Sequence, residues 1–437
     1  MLHSVSRRSF MMGGAAASLG LATALASGRA AGANERVRLG FIGIANRGSQ
    51  LIEATLPHAD ADIVALCDID ENAINLWKGN PKLPLQPQIY KDHRELLART
   101  DIDAVVIATP DHWHAIQTME ACDAGKDVYI EKPLAMTVYE GRRMVEKARQ
   151  TNRVVQVGLH RRSSKLLLEL RDLVRSGKLG KITMGRSYRL SNMYPNGIGK
   201  MAPGDPPPTL DWDRWLGPRA FRQFQGNIAP YKFRWWLPYS SQLGNWGVHY
   251  FDLIRWMLDE EAPASVSSHG GRFAIDDDRT IPDTLETIFE FASGRLMLFG
   301  QLEASGAPML DHGAEFELRG TQGIVHGHAS RCKIIGEKGG QFQDAALRME
   351  EMELTTDEGD LTEAHMRNFL DCIKSRAMPN CDVEEGHKST IFAHLGNMAL
   401  AAEARIKWDP AGERVLSPES ANEMLHYEYR APWRLPE

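Results

Sequence analysis

The 437-residue sequence predicts an α/β protein in which a parallel, doubly wound sheet is followed by an α+β half with a large, mainly antiparallel sheet. Two observations carry this. Between Arg36 and Gly158, short β-branched runs alternate with helix-length segments, as parallel strands joined by crossover helices do. Beyond Gly158 the runs are joined by tight glycine turns, as in antiparallel hairpins. The length suits two or three domains, each with its own core, and 43% hydrophobic with 25% charged residues excludes disordered and fibrous classes. A net charge of -6 offers no footprint to a polyanion, so nucleic acid is not an expected partner. Cys67, Cys122, Cys332, Cys372 and Cys381 are odd in number and form no CxxC pair, so buried reduced thiols are expected, not a zinc knuckle or disulfide framework.

Taken in order, Ser6-Arg7-Arg8-Ser9-Phe10-Met11 precedes a Gly/Ala-rich apolar run to Ala26 and a small-x-small site at Ala31-Gly32-Ala33. This resembles a twin-arginine export signal over residues 1–33. The run is short of the roughly 20 residues a stable membrane span needs. Passage through the twin-arginine machinery would deliver a protein already folded in the cytoplasm to the periplasm or beyond, with any cofactor inside.

Strands are expected at Val37–Ile42, Ile63–Cys67, Ala104–Ala108, Asp127–Ile130 and Val154–Val157, making residues 34–158 a Rossmann-type nucleotide-binding domain. Thr137 and Glu140 have the spacing of a capping box, which predicts a helix start there. The first strand runs into Gly43-Ile44-Ala45-Asn46-Arg47-Gly48, a dinucleotide fingerprint with alanine at its second glycine position. An Ala45 methyl crowds a pyrophosphate but does not forbid it if φ is negative. Asp68 closes the second strand, where a carboxylate can accept both ribose hydroxyl protons or serve only as a turn residue. Its charge would repel a 2′-phosphate, which favours NAD over NADP.

The next strand end carries Thr109-Pro110-Asp111-His112-Trp113-His114. With no third His or Cys nearby, the two histidines read as part of a cofactor-lining loop and no metal is expected. Tyr129-Ile130-Glu131-Lys132-Pro133 follows. Fingerprint, strand-end acid, Thr-Pro loop and Glu-Lys-Pro, continued by Gln156-Val157-Gly158, Asp211-Trp212 to Gly217 and Gly247-Val248-His249-Tyr250-Phe251-Asp252, resemble the Gfo/Idh/MocA oxidoreductases across nearly all of the chain.

That resemblance implies an NAD(P)-dependent oxidoreductase with Lys132 and His249 as catalytic residues. Gly43, Ala45, Asn46, Arg47, Gly48, Asp68, Thr109, Pro110, His112, Glu131 and Lys132 would face the cofactor. By residue type alone Lys132 would be a solvated lysine and His249 a helix N-terminal histidine. In context, an ammonium at a strand end can stabilise a forming alkoxide and an imidazole can take the hydroxyl proton. Many relatives carry Asp four residues before this histidine, and here Asn245 stands there. An amide can orient His249 but not stabilise its imidazolium by charge. Asp252 could partly replace the missing carboxylate or be a plain helix residue.

Residues 159–437 are expected to form the substrate and oligomerisation domain. Strands are predicted at Thr284–Ala292, Arg295–Glu303, Phe316–Arg319 and Ile324–His326, and helices between His365 and Ala404. Residues 191–238, rich in Gly and Pro, should form a long ordered loop. Six of the ten tryptophans lie between Trp212 and Trp256, either stacking on sugar rings or filling the loop's own core. Trp235, Trp236 and Trp246 are the sugar candidates, with His160, Arg161 and Arg234 as polar partners. The resemblance also implies a homo-oligomer.

The expected function is an exported oxidoreductase acting on a sugar or cyclitol with retained NAD. Two alternatives stand beside it: a redox-neutral, NAD-dependent glycoside hydrolase (α-N-acetylgalactosaminidase-like), and a non-catalytic NAD- or sugar-binding protein.

Overall fold

The structure, a computed structural model, describes residues 36–342 and 345–437; the export-signal segment lies outside the described residues. Six parallel strands form the first sheet: β1 (Val37–Ile42), β2 (Ala61–Cys67), β3 (Gln88–Tyr90), β4 (Ala104–Ile107), β5 (Asp127–Ile130) and β6 (Val155–Val157), in spatial order β3-β2-β1-β4-β5-β6. The order reverses between β1 and β4, the switch point at which such sheets bind ligands. β1 is buried at every position but one because helices cover both faces, which is why the parallel strands read as continuous apolar runs. β2 begins at Ala61, two positions before Ile63. The three-residue edge strand β3 was not expected, being too short to show a period. The predicted capping box is present, with Thr137 accepting from the Glu140 amide and Glu140 accepting from the Thr137 amide.

The second sheet has ten strands: β7 (Ile182–Leu190), β8 (Ser265–Gly271), β9 (Thr284–Glu290), β10 (Leu296–Leu302), β11 (Phe316–Gly320), β12 (Gly323–Gly327), β13 (Arg331–Gly336), β14 (Met352–Thr355), β15 (Ile406–Asp409) and β16 (Arg414–Ser417). Every neighbouring pair is antiparallel except β7 with β10. The β9–β10 turn uses Gly294 at φ +81°, a conformation that only glycine adopts without strain. One face of this sheet is covered by the helices Lys165–Arg175, Val248–Leu258 and Val383–Ala401. Phe251 meets Phe289 and Phe299 edge-to-face there at ring-centroid distances of 5.0 and 5.3 Å, with Phe392 tilted against Phe289 at 5.2 Å, a cluster that fixes the helix Val248–Leu258 against the sheet.

The helix Leu361–Ser375 returns to the first sheet, where Met366, Phe369 and Leu370 pack with Leu39, Phe41 and Tyr129. Residues 191–238 form an ordered excursion whose core of Leu210, Trp212, Trp215, Leu216, Phe233 and Trp236 is closed by the adjoining Tyr239. Among the described residues, no helix is long and apolar enough to cross a membrane. The five cysteines are buried and unpaired.

Candidate functional site

Two clefts meet at the carboxyl ends of the parallel strands. The first, of about 810 Å³, is lined by Gly43, Ala45, Asp68, Thr109 and Pro110 together with Arg94, Trp113, Leu210, Pro230 and Trp433. Gly43 sits at φ +80°, and a Cβ there would lie 2.8 Å from the Ala108 carbonyl carbon and the Thr109 nitrogen. A Cβ on Gly48 would collide with the Gly43 carbonyl oxygen. Both glycines are therefore required by backbone contact.

Ala45 caps the helix Asn46–Thr55 at φ -74° with no side-chain bond to the helix amides, and the first turn holds no acid. The methyl is thus accommodated at negative φ, and free amides at a helix start suit a pyrophosphate. Asp68 accepts from the Ile44 amide at 2.8 Å and the Asp70 amide at 2.9 Å. Burial raises its pKa against the pull of those donors. The carboxylate both ties the fingerprint loop and lines the cleft where a ribose belongs. These features fit a dinucleotide such as NAD.

The second cleft, of about 1,140 Å³, is lined by Asn46, Arg47, Thr109, Asp111, Glu131, Lys132, His160, Arg161, Tyr231, Arg234, Asn245, Trp246 and His249. Glu131 fills the space left by Gly158 and accepts from Arg47 Nε at 2.8 Å. Burial pushes its carboxyl up, but the charges of Arg47 and Lys132 outweigh this and hold it below its ordinary value. Lys132 Nζ donates to the Asn245 backbone oxygen at 2.7 Å and to Asn245 Oδ1 at 3.1 Å. Burial brings the ammonium down to about 8, against the attraction of Glu131 and Asp111.

A single π-helical turn, Leu243–Gly247, precedes the helix Val248–Leu258. Such a turn inserts an extra residue per hydrogen-bonded ring, so side chains are re-aimed where an α-helix would bury them. Here it brings Asn245, Trp246 and His249 to the same cleft. His249 Nδ1 is buried with no hydrogen-bond partner among the described residues. Its ring lies 5.5 Å from that of His160. Burial, then the Lys132 charge, holds its pKa well below the ordinary imidazole value, and burial, then the Arg47 charge, brings His160 to about 3. Both rings are neutral acceptors at physiological pH.

Several expectations are corrected. Asn245 contacts Lys132, not His249, so it positions the ammonium. Asp252 is 1% exposed, paired with Arg162 at 2.8 Å and accepting from Ser389 at 2.7 Å, which removes it from both the His249 ring and the substrate cleft. His112 Nε2 donates to the Trp215 carbonyl, 2.7 Å away, under Trp215 and Tyr239, and lines neither cleft. Trp236 is 2% exposed, bonds to the Asn227 carbonyl and belongs to the loop core. Trp235 donates to Glu303 at 3.0 Å and lies outside the cleft lining. For Asp252, His112, Trp236 and Trp235 a buried polar partner or an apolar neighbourhood fixes the side chain away from the cleft.

Asp111, Tyr231 and Trp433 were missed. Asp111 accepts from Ser240 at 2.5 Å, and its place at a parallel strand's carboxyl end was the available signal. Tyr231 and Trp433 come from irregular segments and carry no local signal.

Family models match residues 37–159 (oxidoreductase family, NAD-binding Rossmann fold), 167–340 (GFO/IDH/MocA C-terminal domain) and 310–435 (oxidoreductase family, C-terminal alpha/beta domain). A glycosyl hydrolase family 109 protein of Shewanella sp. strain W3-18-1 is 29% identical over 214 residues, covering 43% of this chain and 46% of that protein. A family 109 protein of Shewanella sp. strain ANA-3 is 30% identical over 215 residues, with the same coverage. The matched region thus spans under half the length of these relatives.

Among solved structures, levoglucosan dehydrogenase in complex with NADH and L-sorbose aligns at TM-score 0.64 and 18% identity, covering 85% of this chain and 98% of its own. The WlbA dehydrogenase from Bordetella pertussis, in complex with NADH and UDP-GlcNAcA, aligns at 0.62 and 20%, covering 86% and 99%. The aldose-aldose oxidoreductase from Caulobacter crescentus aligns at 0.64 and 16%, covering 85% and 99%. At these identities the likeness is one of fold. With family models matched on both sheets, and with the fingerprint loop and Lys132 at the strand ends where they meet, the chain belongs to the Gfo/Idh/MocA oxidoreductase family.

Proposed function

We propose that this protein transfers hydride between a tightly held NAD and a hydroxyl-bearing carbon of a sugar or cyclitol. The observation that carries the reading is the convergence of Lys132, held by Asn245, with the unpartnered His249 in the cleft that adjoins the fingerprint loop. NAD, when bound, supplies the hydride acceptor. Lys132 donates a hydrogen bond to the substrate oxygen and stabilises its developing negative charge. His249, neutral, accepts the hydroxyl proton. Trp246, with the Arg189 guanidinium 4.1 Å from its ring centroid, offers an apolar wall to a sugar face. Arg161 and Arg234 offer donors to its hydroxyls.

A second reading, redox-neutral cleavage of a glycoside, is favoured by a specific feature. Among the described residues His249 Nδ1 has no hydrogen-bond partner and the charges of Lys132 and Arg161 oppose its protonation, so an imidazolium formed there is poorly stabilised and returns its proton readily. That suits a cycle in which a sugar carbon is oxidised, the aglycone is eliminated, water adds and the carbon is reduced again. The names of the Shewanella relatives point the same way.

Arg7-Arg8 and the run behind them support export with NAD already bound, since the twin-arginine route carries folded proteins. The open second sheet supports a homo-oligomer.

Aryl glycosides separate the readings. Aglycone release with no net change in nicotinamide absorbance is the result expected of the hydrolase. Reduced cofactor that accumulates until an acceptor sugar is added is expected of the oxidoreductase. A wild-type protein that holds NAD and stays silent across a broad panel of sugars and glycosides would leave the non-catalytic binding protein.

A further inference from the structure

The segment from Tyr427 to Glu437 is fastened both to the 191–238 excursion and to the nucleotide half. The Arg430 amide donates to the Pro218 carbonyl at 2.9 Å, and its guanidinium donates to the Gly217 carbonyl at 3.0 Å and to Asp213 at 2.5 Å. The Tyr429 hydroxyl donates to the buried Glu140, and Lys147 meets the Glu437 carbonyl oxygen. These bonds deliver one large side chain, Trp433, to the cleft that contains Asp68. Its ring stands nearly perpendicular to that of Trp113, with centroids 4.7 Å apart, and the Arg94 guanidinium lies 5.5 Å from its centroid. Yet the indole is only half-buried. A tryptophan that is held this firmly and still faces a cleft has surface to spare for a ligand.

We infer that Trp433 forms a wall of the adenine subsite and that the fastened segment slows release of the dinucleotide. The inference rests on the NAD reading above. Beside Asp68 the cleft is walled by Leu210, Pro230, Trp113 and Trp433. That is a largely apolar, aromatic slot whose three cations, Lys91, Arg94 and Arg214, are each already paired with a carboxylate, Glu71, Asp92 and Asp211. It suits a flat, neutral purine, whose faces prefer aromatic contact, better than a second phosphate. It also accounts for retention: an exported protein meets no pool of free NAD, so a slow off-rate is what keeps it loaded.

The test uses the full protein preloaded with NADH and chased with excess NAD, followed by nicotinamide fluorescence. Trp433→Ala should release NADH at least about tenfold faster, and Trp433→Phe should restore most of the retention. ADP-ribose should bind more weakly to Trp433→Ala than to wild type, whereas nicotinamide mononucleotide should not distinguish them. The melting temperature of ligand-free Trp433→Ala should fall only slightly, through the lost contact with Trp113, and that of Trp433→Phe should stay near wild type. Equal release rates in wild type and Trp433→Ala would overturn the inference alone. A large fall in ligand-free melting temperature with equal release rates would reassign Trp433 to packing. A wild-type protein that binds no dinucleotide would overturn the NAD reading together with the inference.

Discussion

The cleft at the fingerprint loop and the cleft at Lys132 share Thr109 and the ends of the same parallel strands, but they are built by different means. In the first, backbone geometry makes the site: two glycines that admit no Cβ, an uncapped helix start, and a carboxylate that ties the loop from below. Its walls are mostly apolar. In the second, side-chain charge makes the site, with Arg47, Lys132, Arg161 and Arg234 set against Glu131 and Asp111. A site built from one turn of backbone is written in consecutive residues. One built from side chains on distant segments exists only when the chain is folded.

The largest effect is expected beneath the reaction cleft. Asp252→Ala leaves Arg162 buried without its main partner and should cost about 3–5 kcal/mol of stability, read by denaturant unfolding. The soluble fraction should keep its NAD affinity. A stable variant that had lost only turnover would return Asp252 to the chemistry.

Lys132→Ala should slow the single-turnover hydride step about 10²–10³-fold with the NAD dissociation constant nearly unchanged. A large loss of NAD affinity would mean that the two clefts are one.

Asp68→Asn should weaken NAD by roughly tenfold or more, since a charge-assisted contact is worth on the order of 1.5–3 kcal/mol. It should also narrow the preference over NADP, because the charge that opposes a 2′-phosphate is gone. Because Asp68 also holds the Ile44 and Asp70 amides, weaker NAD binding alone would be ambiguous. The change in the NAD-to-NADP ratio is the informative measurement.

The smallest effect is in the pH profile. With Lys132 lowered to about 8, the ammonium form prevails below that pH and is lost above it, so turnover that needs its charge should fall as pH rises through about 8. His249 stays neutral through the neutral range and should contribute no limb at the ordinary imidazole value. In Lys132→Arg the alkaline fall should disappear; if it persists, another group titrates there.

Much of the molecule was legible before folding. The parallel strands, the fingerprint and the capping box at Thr137 were read from spacing, because each depends on neighbours within a few residues or on the apolar run that a covered strand must show. Ala45 was readable as a tolerable departure, and its φ of -74° agrees. What failed was the assignment of single side chains in the second half. Trp236 and Trp246 sit ten residues apart in one aromatic-rich stretch; one is core and the other cleft wall, and nothing local separates them.

The sequence by itself determined the fold class, the loop that cradles a dinucleotide and the positions of Lys132 and His249, since those rest on backbone conformation and residue order. Only the tertiary structure decided that Asn245 serves Lys132, that Asp252 belongs to Arg162, and that Trp433, some 365 residues from Asp68 in the chain, stands in the same cleft. The physical reason is that a hydrogen-bond partner or a cleft wall is chosen by proximity in space. The folded chain sets that proximity through long-range packing, and local spacing does not encode it.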